Sequence, residues 1–235
     1  MSLLQLDHVA KSYRQGARRV DVLRDISLEL HEREVVAIWG LHRSGRSALM
    51  RIAAGIEAPD GGTVRFRGAR LSVGGGAIAA GIAYCPPGFH GVEANTVLEE
   101  LIATQLARGA RPTNARARAN EALERAGARG CEDHPPGELD RHEQVRAGVA
   151  RALLQEPSLL LIDDPIKGVD LLERDKILEL VRSLADAGVT IVLSLDNGVG
   201  LFAADRALSL GEGVLRGELA PGLAPVVDLP LRSSA

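Results

Sequence analysis

VVAIWGLHRSGRSALM, residues 35–50, changes character halfway along. Its first five residues are apolar and largely β-branched and predict a buried strand; Gly40 interrupts the run, and a helix-forming segment starts near Gly45 and Arg46. Gly40, four residues, Gly45, Arg46 and Ser47 reproduce the phosphate-loop spacing G-x-x-x-x-G-K-[ST], with arginine in place of lysine. A tight turn feeding a helix N-terminus aims several backbone N–H groups and the positive end of the helix dipole at one point, where a phosphate fits. The serine hydroxyl after the basic residue can serve Mg²⁺. The competing reading is a Gly-rich strand-to-helix turn that holds nothing, and His42 and Arg43 fill places where smaller residues would let phosphate oxygens approach the backbone.

At 235 residues and 46% hydrophobic, the chain has material for one substantial core, or a core with a smaller lobe. A net charge of -3 argues against a general nucleic-acid binder, whose phosphate contacts need a basic surface. Lysine occurs only at Lys11, Lys167 and Lys176, so none near the loop in sequence replaces the missing one. Cys85 and Cys131 have no second cysteine at ligand or redox spacing and are expected to be free thiols. Cys131 and His134 amount to half a metal site, in what reads as a polar loop running into Pro135, Pro136 and Gly137. Residues 1–9 alternate polar and apolar, unlike a signal peptide, and no apolar run reaches the roughly 18 to 20 residues of a bilayer span. The expectation is a soluble chain that reaches a membrane only through a partner, with a weakly structured Pro-rich tail at 221–235.

Alternating apolar positions over 3–13 and 20–30, with a polar turn at 15–18, predict antiparallel strands. Tyr13, one of six aromatic residues, is either ordinary strand packing or a ring on which adenine stacks. Short strands are expected at 64–66 and 81–85, a Gly-rich loop at 74–76, and helices over 96–106 and 113–126, the second with a solvated arginine face. Val145, Val149, Ala152 and Leu153 share one helical face and predict a helix from about residue 143. Pro157 stops it, and an apolar run at 159–162 ends in Asp163 and Asp164. A strand apolar throughout belongs inside a parallel sheet, with its carboxylates at the C-terminal edge where α/β folds bind ligands. There a carboxylate either holds Mg²⁺ beside the phosphate loop or simply ends the strand. A helix after Asp170, a buried strand at 189–193 leading to Ser194, Leu195 and Asp196, and short strands at 207–210 and 214–218 complete an α/β domain with a helical lobe.

With these segments in order, residues 3–219 resemble the nucleotide-binding subunit of an ABC transporter. The phosphate loop corresponds to Gly40, Leu41, His42, Arg43, Ser44, Gly45, Arg46, Ser47 and Ala48, and the second acidic motif to LLLIDDP at 159–165. Gly168-Val169-Asp170 matches the D-loop, and RAGVARALL at 146–154 is similar to the helix after the family's signature sequence. GLHRSGRSALM also looks like the second cassette of monosaccharide importers. The resemblance implies an α/β P-loop NTPase fold of ABC type: a mixed and parallel sheet core, an antiparallel β subdomain and a small helical lobe at about 88–156, in one domain over 1–220. It implies ATP and Mg²⁺ as ligands, Tyr13 stacked on adenine, Ser47 and Asp163 on the metal, and Asp163 and Asp164 as the catalytic carboxylates. It also implies a cytoplasmic subunit held on the inner face of the membrane by a permease and paired with a second nucleotide-binding subunit, of the same or another chain.

The departures fall where chemistry is done. The signature LSGGQ maps to Leu139, Asp140, Arg141, His142 and Glu143, so only the leucine remains, and two carboxylates face a polyanion. The family's glutamine falls on Pro87, its catalytic glutamate on Asp164, one methylene shorter, and its switch histidine on Leu195, which has no hydrogen-bonding group. Arg46 remains cationic but is bulkier than lysine. Together these imply dimerisation on MgATP with weak ATPase activity; the alternative is a catalytically silent scaffold or regulatory module of the same fold.

Overall fold

A computed structural model describes residues 2–74 and 81–219; most of the loop expected at 74–76 and the tail expected at 221–235 lie outside these residues. Strands β1 (Ser2–Gln15) and β2 (Arg18–His31) pair antiparallel and are followed by β3 (Val35–Trp39), helix α1 (Arg46–Ala53), β4 (Gly61–Phe66), β5 (Ala69–Arg70) and β6 (Ile82–Cys85). Helices α2 (Val97–Ala107), α3 (Pro112–Arg125) and α4 (Arg141–Leu153) come next, then β7 (Leu159–Asp163), α5 (Leu171–Asp186), β8 (Thr190–Leu195), β9 (Arg206–Gly211) and β10 (Val214–Leu219). Among the described residues the strands form an antiparallel sheet of order β2-β1-β4-β5 and a second sheet of order β10-β9-β3-β8-β7-β6, parallel except where β10 runs against β9.

Side-chain alternation sorts the parallel strands between two cores. Val36, Ile38, Leu159, Leu161 and Val192 pack with the antiparallel sheet and α1. Val35, Ala37, Leu160, Ile162, Ile191 and Leu193 pack on the other side with α2, α3, α4 and α5. Strands buried on both faces need apolar residues at every position, which is why 159–162 reads as an unbroken run. The result is three layers with the parallel sheet in the middle, and the expected strand and helix positions are found within a few residues.

Helix α4 starts at Arg141, two residues before the expected position, because Asp140 takes the N-cap and its N–H donates to the Glu143 carboxylate at 2.9 Å. On α3, Arg116, Arg118 and Arg125 are exposed while Ala115, Ala119 and Ala122 are buried, the solvated arginine face expected. Cys131 differs from the polar-loop expectation. It is 1% exposed inside the helix-side core, and its thiol donates to the Ala128 carbonyl at 3.3 Å. Burial pushes both thiols up, Cys85 to about 12 and Cys131 to about 11, so both stay protonated and inert near neutral pH. Among the described residues there is no group of three or more His, Cys, Asp or Glu that could hold a metal ion, and no helix long and apolar enough to cross a membrane.

Candidate functional site

Because β3, β8 and β7 lie side by side, their C-terminal ends deliver the loop after Trp39, the hydroxyl of Ser194 and the carboxylate of Asp163 to one edge. The Gly40 N–H donates to the Leu195 carbonyl at 3.0 Å, tying the start of the loop to the end of β8. A Cβ at Gly40 would come within 2.2 Å of the Leu210 carbonyl oxygen, so only glycine fits. Gly45 has φ 104, and a Cβ there would meet the Val22 carbonyl oxygen at 2.7 Å; the loop is clamped beneath β2. The Ser44 N–H donates to the Leu41 carbonyl at 3.1 Å, which folds the tip and leaves Leu41, His42 and Arg43 exposed. Among the described residues, the N–H groups of Gly45, Arg46, Ser47 and Ala48 meet no acceptor, and α1 has no side-chain cap. Four unclaimed donors at a helix start are what an anion needs.

Asp164 reaches this loop directly at Arg46, and Asp163 is joined to it through the Ser194 hydroxyl. Asp163 is 1% exposed; one of its oxygens accepts from the Ser194 hydroxyl and the other from the Tyr84 hydroxyl at 3.0 Å. Burial, then the neighbouring Asp163 charge, pushes the Tyr84 phenol far above its ordinary value, so it stays a donor. Asp164 sits at φ 49, a left-handed conformation that aspartate tolerates better than most residues, with its N–H donating to Ser194 Oγ at 2.9 Å. Its carboxylate is paired with the Arg46 guanidinium: Nη1 donates to Oδ1 and also reaches Ser194 Oγ at 3.4 Å, and Nη2 approaches Oδ2 at 3.5 Å. Arg46 is 6% exposed and Asp164 8%, so the pair is desolvated. Arg46 Nε and Ser44 Oγ are buried without a partner.

Two of these residues carried no mark in the sequence. In the sequence Tyr84 is only a position in a short strand and Ser194 only the residue after a buried one, yet they hold Asp163 in place. The available signal was the sheet edge itself: two apolar strands that are neighbours in a parallel sheet end in Asp163 and Ser194, which lie directly opposite one another.

The equivalents of the signature sequence form a helix start. Leu139 is buried, Asp140 and Glu143 form the N-terminal cap, and Arg141 Nε donates to the Lys167 carbonyl at 3.0 Å. His142 lies 4.0 Å from Glu173, whose other partners are Arg146 at 3.4 Å and Lys176 at 2.6 Å. The α4 N-terminus therefore already carries carboxylates where an incoming phosphate would look for N–H groups. Asp170 caps α5 by accepting from the Leu172 and Glu173 N–H groups, each at 3.0 Å, and the Glu173 N–H first of all holds its carboxyl below the ordinary range. Leu195 is 1% exposed and packed into the helix-side core, and Pro87 is exposed just past β6.

Tyr13 lies on β1 opposite Val20, two residues along β2 from the Val22 that overhangs Gly45. It is half-buried; its hydroxyl donates to Glu57 at 2.6 Å and accepts from Arg51 at 3.1 Å, and Lys11 Nζ stands 5.5 Å from the ring centroid. The ring is thus fixed against the end of α1.

A family model described as ABC transporter matches residues 23–167. The lipoprotein-releasing system ATP-binding protein LolD of Geobacter metallireducens is 36% identical over 202 residues, covering 83% of this chain and 90% of that protein. The macrolide export ATP-binding/permease protein MacB of Salmonella typhi is 31% identical over 217 residues, 90% of this chain but 34% of that protein, so the chain spans about a third of the length of those relatives. Among solved structures, the dimeric post-hydrolysis state of the ATP-binding cassette MJ0796 bound to ADP and Pi superposes with a TM-score of 0.83 at 26% identity, covering 92% of this chain and 98% of that one. The likeness to monosaccharide importers rests on the loop stretch alone.

Proposed function

This chain belongs to the ABC transporter family, as an ATP-binding subunit, and from that premise we propose that it binds MgATP at the loop between β3 and α1, closes on a second cassette and couples slow hydrolysis to a membrane permease. The observation that carries this is the set of unclaimed N–H groups at residues 45–48, with Asp164 paired to Arg46 and Asp163 joined to the same cluster through Ser194. Residues Gly40 to Ala48 hold the phosphates, Tyr13 stacks on the base, and Ser47 with Asp163 supplies the hard oxygen ligands that Mg²⁺ prefers. The fit is favourable: each Asp163 oxygen accepts one hydrogen bond and keeps a lone pair, and the buried, unpartnered Ser44 Oγ adds a polar group to the loop. Bound Mg²⁺ supplies charge neutralisation for the phosphate oxygens. Asp164 orients water only when released from Arg46, and Leu195 offers nothing to a transferring phosphate; both support slow turnover. A permease partner is supported by the name of MacB, an ATP-binding/permease protein, and the place on the inner membrane face follows only if that partner is shared.

The second reading, a silent scaffold or regulatory module, is favoured by one observation, the closed Arg46–Asp164 pair. Calorimetric titration with MgATP, followed by phosphate release with and without a co-expressed permease, separates the two. Binding with slow turnover that Asp163→Ala abolishes is expected. Binding without any turnover, permease present, selects the scaffold, and no binding removes the proposal.

A further inference from the structure

Resting on the reading that the loop binds nucleotide, we propose that Asp164 sets its affinity by competing for Arg46: the carboxylate is an internal anion that an incoming phosphate must displace. Arg46 is the cation of the phosphate loop, yet its guanidinium faces Asp164 with both terminal nitrogens and is turned toward the sheet edge. A planar fork matches the two oxygens of a carboxylate, a grip that a lysine ammonium, a point charge, cannot reproduce. The two departures from the family pattern are therefore one matched change: a longer cation with a forked head, and an acid one methylene shorter that receives it.

The competitor is fixed as well as near. The Asp164 N–H is anchored on Ser194 Oγ, and that hydroxyl also donates to Asp163, so the backbone cannot swing the carboxylate aside without breaking the edge of the sheet. Asp163 does not compete, because its oxygens are engaged by Ser194 and Tyr84 and none of its bonds goes to Arg46. The Arg46 side chain is 6% exposed and the Asp164 side chain 11%, a burial that strengthens their attraction and makes an unpaired partner costly. Phosphate can open the pair because it gives the guanidinium a replacement anion backed by the four N–H groups of the α1 start.

The test uses the full chain, Mg²⁺ and a fluorescent ADP analogue, whose equilibrium binding is independent of hydrolysis. Asp164→Asn keeps shape and removes the competing charge, so the dissociation constant falls roughly tenfold, the scale of one charged hydrogen bond; Asp163→Asn gives no such tightening. A double-mutant cycle of Arg46→Gln and Asp164→Asn on thermal unfolding without nucleotide reads the pair itself and shows coupling. Should Asp164→Asn fail to fold, Asp164→Ser reports the same competition, because it also removes the competing charge while leaving Arg46 free for phosphate, and binding tightens by a similar factor. Wild-type binding with no tightening in either variant overturns the competition and leaves the nucleotide reading standing. Coupling in the cycle with no binding by wild type or variants removes both, whereas binding that appears only in Asp164→Asn supports both.

Discussion

Ser194 uses the whole hydrogen-bonding capacity of a hydroxyl inside the site: it donates to Asp163 and accepts from the Asp164 N–H and from Arg46. Removing it orphans a carboxylate oxygen and a buried N–H together, whereas removing the Tyr84 hydroxyl orphans one carboxylate oxygen only. Ser194→Ala is therefore expected to lower stability by about 1 to 3 kcal/mol and Tyr84→Phe by about 0.5 to 1.5 kcal/mol, read as urea midpoints at unchanged slope. Equal losses would mean that Ser194 is a simple strand residue. The identities of Arg46, Asp163 and Asp164 were legible because motif spacing marks them. Their pairing was not: Arg46 and Asp164 stand 118 residues apart, and only the order of β3, β8 and β7 brings them together. Leu195 illustrates the same limit, since the sequence shows a missing imidazole but not that the side chain at that position is packed away in a core.

At the scale of elements, periodicity gave strand and helix positions, because the parallel strands are apolar at every residue and the helices at one face. Helix starts were less legible where a cap set them, as Asp140 does for α4. Least legible was the polar clasp between β1 and the segment after α1. Lys11 Nζ lies 3.1 Å from Glu57 and 3.4 Å from Asp60, Ser12 donates to Asp60 through its N–H at 2.8 Å and its hydroxyl at 2.6 Å, and Arg51 Nε donates to Glu57 at 3.0 Å. With Tyr13 also bonded to Glu57, the clasp sets the orientation of the ring proposed to stack on the base. Burial acts to raise the Glu57 carboxyl, but hydrogen bonds from Tyr13, Lys11 and Arg51 outweigh it and hold it below the ordinary 4.5. A depressed folded-state value means stability that is present above about 4.5 and lost as pH falls through the folded value. Glu57→Gln should thus cost about 1 kcal/mol at pH 7, allowing for solvent screening, and the gap to wild type should close on acidification below pH 4.5. A gap constant from pH 7 to pH 3 in parallel urea melts would show that charge at Glu57 is not what closes the clasp.

For the whole molecule, chain order marks where the proposed nucleotide site lies, whereas a surface suited to another chain has no pairing pattern within one sequence. Asp170 holds the start of α5, and the next two residues, Leu171 and Leu172, are 66% and 76% exposed. Arg141 ties the start of α4 to the segment just before Asp170 by donating to the Lys167 carbonyl, and a Cβ at Gly168 would meet the Arg141 side chain at 4.0 Å, so the two helix starts present one joined surface. Leucines left in water beside a capped turn are suited to a second cassette, and burying one gives about 1.5 to 3 kcal/mol. Leu172→Asp should therefore weaken MgATP-dependent dimerisation roughly ten- to a hundredfold in light scattering, with nucleotide binding by the monomer unchanged. Because the side chain touches solvent, the monomer's own stability should shift by no more than about 0.5 kcal/mol. Dimerisation that survives the charge would place the partner on another face; loss of nucleotide binding in the same variant would mean that the α5 start acts on the phosphate loop within one chain.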